Sequence, residues 1–277
     1  MKKTAFAFSY GLALVFLTAC PEPPAQDAGV DDAHLADAGP ADAGQGALAI
    51  IGNYVDDWNF DHNVTAAAWT DPGDPSDSIF HISQYSNAGY FIIAQNDPAN
   101  PYTVANQWSR FDWTYDSNSL LHFCQITFSA ATEAAALADN SANRSNLATG
   151  CGGFGWSPLH VALAIRGSYV DEWDLAHVVT QTAWTDPGDP SDSVFHISQF
   201  SNPGQYIIAQ NDPANPYTVA NQWSRFDWTY DTSSLLHFCQ ITYAAATEAA
   251  ALGTTSANRS DLGAGCNGFG WSSLTPQ

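Results

Sequence analysis

Basic residues are scarce in this chain, which has 7 Lys and Arg against 28 Asp and Glu and a formal net charge of −21. Both lysines, Lys2 and Lys3, lie at the N-terminus, and the rest of the chain contains arginine only. Binding a nucleic acid requires a basic surface that neutralises phosphates, so the composition excludes a nucleic-acid partner. A surface this acidic keeps a protein soluble and attracts cations or basic partners.

The chain also lacks the motifs of common enzymes. It contains no G-x-S-x-G, no H-E-x-x-H and no glycine-rich phosphate loop of the Walker type. Those motifs mark nucleophilic, metal-dependent and phosphoryl-transfer sites. Arg110 and Asp112 lie two residues apart on one predicted strand, a spacing that favours an ion pair over an acid–base couple. We therefore expect a protein that is not an enzyme.

What the chain does have is an internal duplication. Residues 92–116 return unchanged as residues 207–231, and the same offset of 115 positions aligns the flanking sequence without gaps. The sequence therefore predicts two copies of one unit, and any activity should reside in that unit. The predicted boundaries are 48–163 and 164–277, which give each copy the usual size of one domain.

Each copy consists of short segments rich in β-branched and aromatic residues, separated by turns rich in Asn, Asp, Pro and Gly. In the first copy the predicted strands are 51–58, 62–69, 78–85, 90–95, 107–115, 120–128 and 154–159. The alanine-rich stretch 130–138 predicts one short, late helix. Six or seven strands joined by turns predict an all-β fold, with two tandem small meander barrels or sandwiches.

Four of the five cysteines fall at matching positions in the two copies. In an oxidising compartment they predict one disulfide per copy, Cys124 with Cys151 and Cys239 with Cys266. Closing a loop of this length should stabilise each copy by about 3.5 kcal/mol. The alternative is a zinc site, but two cysteines without a C-x-x-C pair match zinc spacing poorly.

The fifth cysteine follows a segment with the organisation of an export signal. Two lysines precede an apolar run, residues 5–18, that is too short for a permanent transmembrane helix. The sequence Leu17-Thr18-Ala19-Cys20 then resembles the lipobox of bacterial lipoproteins. That resemblance implies removal of residues 1–19 and attachment of acyl chains to Cys20, which would anchor the protein in a membrane. An ordinary signal peptide is the alternative.

The segment after the lipobox is rich in Pro, Ala, Gly and Asp and has no apolar periodicity. We predict that residues 20–47 form a disordered acidic tether. Pro21, rather than Asp, follows Cys20, so the usual inner-membrane retention signal of enterobacterial lipoproteins is absent. The resemblance to lipoproteins then implies a cell-envelope location, at the outer membrane or the cell surface.

Two further resemblances concern the repeated unit. Gly52-Asn53-Tyr54 and Gly167-Ser168-Tyr169 resemble the G-x-W/Y start of lipocalin- and avidin-like barrels, which implies a barrel topology. The whole repeat is similar to uncharacterised tandem domains of bacterial surface lipoproteins. No activity is implied by that similarity.

Aromatic rings beside amide and carboxylate groups are typical of sugar-binding sites, where a ring stacks on the apolar face of the sugar. One such cluster is predicted at the end of each barrel. Its members are Gln95, Asn96, Asp97, Tyr102 and Trp108 in the first copy and Gln210, Asn211, Asp212, Tyr217 and Trp223 in the second. The alternative is that most of the tryptophans form the core.

Two sets of residues are candidate metal ligands, although we expect no cofactor. Three histidines recur in each copy and could bind zinc if they converge, namely His62, His81, His122, His177, His196 and His237. Three aspartates recur in the loop DPGDPSD and could bind calcium, namely Asp71, Asp74, Asp77, Asp186, Asp189 and Asp192. The alternatives are partly buried, hydrogen-bonded histidines and a solvated turn.

These features together predict a cell-envelope lipoprotein that displays two non-catalytic β domains and binds a glycan, a peptide or a protein partner. Two copies of one site would add avidity if both engage at once. One alternative is a structural or shielding surface protein without a ligand pocket. The other is a metal-dependent secreted hydrolase that uses the histidines.

Overall fold

The computed structural model describes residues 46–73, 76–188 and 191–277. The predicted signal peptide, Cys20, most of the tether, Asp74 and Asp189 lie outside these residues. Two closed, antiparallel β-barrels of eight strands each follow one another along the chain. This confirms the predicted all-β fold with two tandem barrels, each with one late helix and one disulfide. In the described part of the chain, no helix has the length and apolar character needed to cross a membrane.

In barrel 1 the order of strands around the barrel is their order in the sequence, and β8 pairs with β1 to close it. Helix α1 lies between β7 and β8. The elements are β1 (Gly52–Val55), β2 (Asp61–Val64), β3 (Ala68–Asp71), β4 (Ser78–Ser86), β5 (Phe91–Asn96), β6 (Trp108–Tyr115), β7 (Leu121–Ala130), α1 (Glu133–Ala138) and β8 (Ser157–Val161).

Barrel 2 repeats this arrangement, with β16 closing on β9. Its elements are β9 (Gly167–Asp171), β10 (Ala176–Val179), β11 (Ala183–Asp186), β12 (Ser193–Ser201), β13 (Tyr206–Asn211), β14 (Trp223–Tyr230), β15 (Leu236–Ala245), α2 (Glu248–Leu252) and β16 (Ser272–Pro276).

The strand predicted over 62–69 is in fact two strands, β2 and β3, separated by a tight turn. The hydroxyl of Thr65 accepts hydrogen bonds from the backbone N–H groups of Ala67 (3.2 Å) and Ala68 (2.9 Å) and so stabilises the turn. No Gly, Pro or Asn marks this turn in the sequence. The extra strand brings the count to eight, an even number, as closure of an antiparallel meander requires.

Large aromatic side chains fill the interior of barrel 1. Trp69 stacks on Phe111 with ring centroids 4.8 Å apart, and Phe80 meets Phe111 edge to face at 4.9 Å. Trp113 and Ile92 are also buried in this cluster. Barrel 2 has the same core around Trp184 and Phe226. The interior of each barrel is therefore a packed core.

The G-x-Y start of each copy has a packing role in this core. A Cβ atom added to Gly52 would lie only 3.0 Å from the hydroxyl oxygen of Tyr54, so glycine makes room for the tyrosine ring. The Tyr54 hydroxyl then donates a hydrogen bond to the carbonyl of Ile50 at 3.1 Å. Gly167 and Tyr169 repeat this arrangement in barrel 2.

A second buried layer covers the outside of β6 and β7. The segment between β7 and β8 lies there, held by the disulfide Cys124–Cys151. The charged face predicted for β6 is therefore buried: Asp112 is 1% exposed, and its carboxylate is 2.7 Å from Arg110 Nε. Arg144, on the covering segment, forms an ion pair with the same carboxylate.

Helix α1 belongs to this covering segment and is shorter than the predicted 130–138. Thr132 is its N-cap, and the Thr132 hydroxyl accepts a hydrogen bond from the N–H of Ala135 at 3.1 Å. Ala130 still belongs to β7. Arg110 reaches the end of the helix and donates to the carbonyl of Leu137 at 2.7 Å. The helix thus packs on the barrel through a buried arginine.

Candidate functional site

A row of outward-facing polar and aromatic residues crosses three neighbouring strands of each barrel. His81 on β4 pairs in register with Gln95 on β5, which pairs with Trp108 on β6. Adjacent residues on these strands, such as Phe80 and Ala94, point into the core, so the row faces out. The His81 side chain is 55% exposed, and Gln95 and Trp108 are partly exposed. We call these three residues the outer row.

Hydrogen bonds from the following loop hold the outer row in place. Gln95 Nε2 donates to the carbonyl of Asn106 at 3.1 Å, and His81 Nε2 lies 2.9 Å from Asp97 Oδ2. A hydrogen bond from the N–H of Ala99, together with the one to His81, lowers the pKa of Asp97 below its usual value. Asp97 is thus a charged and fixed carboxylate at the edge of the row.

Barrel 2 carries the same outer row on the equivalent strands. His196, Gln210 and Trp223 are register partners on β12, β13 and β14. His196 Nε2 lies 2.9 Å from Asp212 Oδ2, and Gln210 Nε2 donates to the carbonyl of Asn221 at 3.1 Å. The structure therefore presents the same surface twice.

Two residues of the predicted sugar-binding cluster lie apart from the outer row. Asn96 is buried, where its amide nitrogen donates to the carbonyls of Val104 (3.1 Å) and Phe128 (2.8 Å). Asn96 therefore stabilises the loop. Tyr102 lies in the loop after β5 and is 77% exposed. Asn211 and Tyr217 occupy the same positions in barrel 2.

The three candidate histidines of barrel 1 do not converge, because each is paired with a different aspartate. His62 Nδ1 lies 2.7 Å from Asp71 Oδ1, whereas His122 Nε2 lies 3.8 Å from Asp116 Oδ2. His81 is held by the outer-row carboxylate. In barrel 2 the corresponding pairs are His177 with Asp186, His196 with Asp212 and His237 with Asp231. Across residues 46–73, 76–188 and 191–277, no group of three or more His, Cys, Asp or Glu side chains could hold a metal ion.

The described aspartates of the DPGDPSD loop also serve separate purposes. Asp71 Oδ1 accepts a hydrogen bond from the indole N–H of Trp69 at 2.6 Å. Asp77 Oδ1 accepts from the N–H of Gly73 at 3.3 Å. In barrel 2, Asp186 binds Trp184 and Asp192 accepts from Gly188 in the same way. These contacts stabilise the end of the barrel and the turn.

Two aspartates that were not predicted as partners, Asp56 and Asp71, flank His62. The His62 side chain is 6% exposed, and its Nε2 lies 3.6 Å from Asp56 Oδ2. Burial lowers the pKa of His62, but the hydrogen bond to Asp71 and the charges of Asp71 and Asp56 more than offset this, so the pKa is raised. His177 has the same surroundings. The signal in the sequence was the hairpin β1–β2, which brings Asp56 and His62 together across its turn.

The turn of that hairpin also presents two exposed apolar side chains that the sequence analysis did not single out. Trp58 is 65% exposed, and Phe60 is similarly exposed. Asp56 Oδ1 accepts hydrogen bonds from the N–H groups of both residues, at 3.0 and 2.8 Å, which fixes the turn. Trp173 and Leu175 occupy these positions in barrel 2.

Comparisons of this chain with protein families, with curated proteins and with solved structures found no match. The structure itself defines the class of protein, a tandem pair of filled, disulfide-bonded eight-stranded β-barrels. Each barrel carries an outer row of histidine, glutamine and tryptophan.

Proposed function

We propose that this chain is a cell-envelope lipoprotein, anchored through Cys20, that binds glycans through the outer rows of its two barrels without a catalytic role. The observation that supports the proposal is the outer row itself. His81, Gln95 and Trp108 stand side by side on adjacent strands, and the same three residue types recur at the equivalent place in barrel 2.

The chemistry of the outer row suits a sugar. A partly exposed indole offers a flat apolar surface on which a pyranose ring can stack. Gln95 supplies an amide that both donates and accepts hydrogen bonds, and the His81–Asp97 pair adds a fixed polar edge. Because the barrel interiors are packed, the outer surface is the one left for a ligand.

The charge of the protein narrows the class of glycan. With a formal net charge of −21, the chain repels polyanions such as uronic-acid or phosphate-containing polysaccharides. Stacking and neutral hydrogen bonding do not depend on ligand charge. We therefore propose a neutral glycan, bound weakly by each row and more tightly by both together if the ligand spans them.

The test is binding of the mature chain to immobilised neutral glycans, with variants of the row. We expect Trp108→Ala and Trp223→Ala each to weaken binding and the double variant to abolish it. The matched controls are Trp58→Ala and Trp173→Ala, which remove exposed tryptophans outside the outer row. The proposal is contradicted if the native chain binds no neutral glycan, or if the double variant binds as well as the native chain.

A further inference from the structure

The two copies differ most where the two barrels meet. No position differs between residues 92–116 and 207–231, whereas nine of the twenty positions 48–67 differ from their counterparts. Those nine positions include the outer face of β1 and β2 and the turn between β2 and β3. The outer face of β1 and β2 lines the clefts between the barrels on the side of barrel 1. The β10–β11 turn, which is the counterpart of the β2–β3 turn, lines them on the side of barrel 2.

Three polar side chains that differ between the copies take part in the contact between the barrels. Arg166, just before β9, donates to Asp61 Oδ1 on β2 of barrel 1 at 2.5 Å. The amide of Gln181, in the β10–β11 turn, donates to the carbonyl of Val161 at 2.9 Å and accepts from the N–H of Leu163 at 3.0 Å. Barrel 2 is thus attached to barrel 1 by side chains as well as by the chain itself.

Each of these three groups is present only in the copy that uses it. The position equivalent to Arg166 is Ile51, the position equivalent to Gln181 is Ala66, and the position equivalent to Asp61 is Ala176. The equivalent surfaces outside the junction lie around Ile51 and Ala66 in barrel 1 and around Ala176 in barrel 2. They therefore lack all three polar groups.

The connection between the barrels is short and fixed at both ends. The N–H of Ala162 donates to the carbonyl of Asn53 in barrel 1 at 2.9 Å. Leu163 and Ile165 are buried in the core of barrel 2. Asn202 of barrel 2 donates to the carbonyl of Ala162 at 2.8 Å. The connection therefore keeps the two barrels close together, and the side-chain contacts at the junction are left to set the angle between them.

We infer that this junction is a dedicated interface that fixes the orientation of barrel 2 relative to barrel 1. Its two faces carry complementary groups, the carboxylate of Asp61 on barrel 1 and the guanidinium of Arg166 beside barrel 2. A second copy of the protein cannot repeat the contact, because Ala176 replaces the carboxylate and Ile51 replaces the guanidinium on the remaining faces. If the proposed glycan site is correct, the interface also holds the two outer rows at a constant separation.

The test uses residual dipolar couplings of the isotope-labelled mature chain, which report whether two domains share one alignment tensor. We expect one shared tensor for the native chain. The triple variant Asp61→Ala, Arg166→Ile, Gln181→Ala gives each position the residue of the other copy, so each barrel should still fold. We expect its barrels to show two different tensors.

Tyr243→Phe is the matched control, since it also introduces the residue of the other copy but lies away from the clefts at the junction. It should keep the shared tensor. Separate tensors in the native chain, or a shared tensor in the triple variant, would overturn the inference. So would concentration-dependent head-to-tail oligomers in sedimentation experiments. None of these readouts depends on a glycan.

Discussion

At the scale of single residues, the most unusual feature is a histidine buried between two carboxylates in each barrel. His62 has contacts with Asp71 and Asp56, and its ring packs on Phe123 with centroids 5.0 Å apart. The protonated ring is stabilised by both charges, so the pKa of His62 is raised in the folded state. The same holds for His177. These histidines therefore link folding to pH.

We predict that stability falls as pH rises through neutrality. A histidine with a raised pKa in the folded state contributes its full stabilisation below the unfolded value of about 6.5. That contribution is lost as pH rises through the folded value. Urea unfolding between pH 5.5 and 9 should show this loss in the native chain and a weaker dependence in His62→Gln, His177→Gln.

A second prediction concerns the buried ion pair of β6. Asp112→Asn removes the carboxylate that faces Arg110 and Arg144 and leaves a buried guanidinium without its counter-charge. The free energy of unfolding should fall by about 3–5 kcal/mol. Asp57→Ala breaks the exposed pair with His160 and should cost about 1 kcal/mol or less. Equal effects of the two substitutions in urea denaturation would contradict this explanation.

At the scale of elements, the segment between β7 and β8 depends on the barrel for its structure. Its helix has only six residues, too few to be stable alone. The disulfide and Arg144 hold the segment on β7 and β6, and the capping hydroxyl of Thr132 stabilises the first turn of its helix. The barrel strands, in contrast, are stabilised by the aromatic core. The two layers should therefore differ in local stability.

Removal of the disulfide should destabilise the covering segment more than the barrel strands. The variant Cys124→Ser, Cys151→Ser should lose about 3.5 kcal/mol of stability through the restored freedom of the unfolded chain. Amide hydrogen exchange should increase most in residues 139–156 and little in β3–β5. The intact disulfide of barrel 2 provides an internal reference. Uniform exchange through barrel 1 would show that the two layers unfold together.

Elements were predictable from the sequence where local chemistry determines them. The hairpin β4–β5 carries a clear signal in Asn87 and Gly89, and the run of alanines indicates α1, although not its first residue. The turn at Thr65 was missed because a hydroxyl, rather than a glycine or proline, stabilises it. Burial of Arg110 and Asp112 was missed because alternation along a strand does not reveal which segment will cover its outer face.

The candidate site was predictable only in part, for a related reason. Gln95, Asp97 and Trp108 were in the predicted cluster, and strand register places Gln95 beside Trp108. His81 joins them only because β4 pairs with β5 in one particular register. Asn96, next to Gln95, points the other way and is buried. Register depends on the whole barrel, so sequence proximity alone cannot assign these positions.

At the scale of the whole molecule, the proposed membrane attachment rests on the sequence of residues 1–20 alone. We predict that the mature protein begins at an acylated Cys20 and partitions into the detergent phase of a Triton X-114 extraction. Cys20→Ala should abolish labelling with radioactive palmitate and shift the protein to the aqueous phase. An unmodified N-terminus in intact-mass spectrometry would show that residues 1–19 are not a lipoprotein signal.

The unchanged stretch 92–116 and 207–231 has a consequence for how the chain reaches its native state. Strands β5 and β6 have almost the same sequence as β13 and β14, so each pair can complete either barrel during folding. Refolding from urea can therefore produce a misfolded state in which strands are exchanged between the two barrels. Emergence of the chain with its N-terminus first avoids this competition, because barrel 1 can close before its duplicate is exposed.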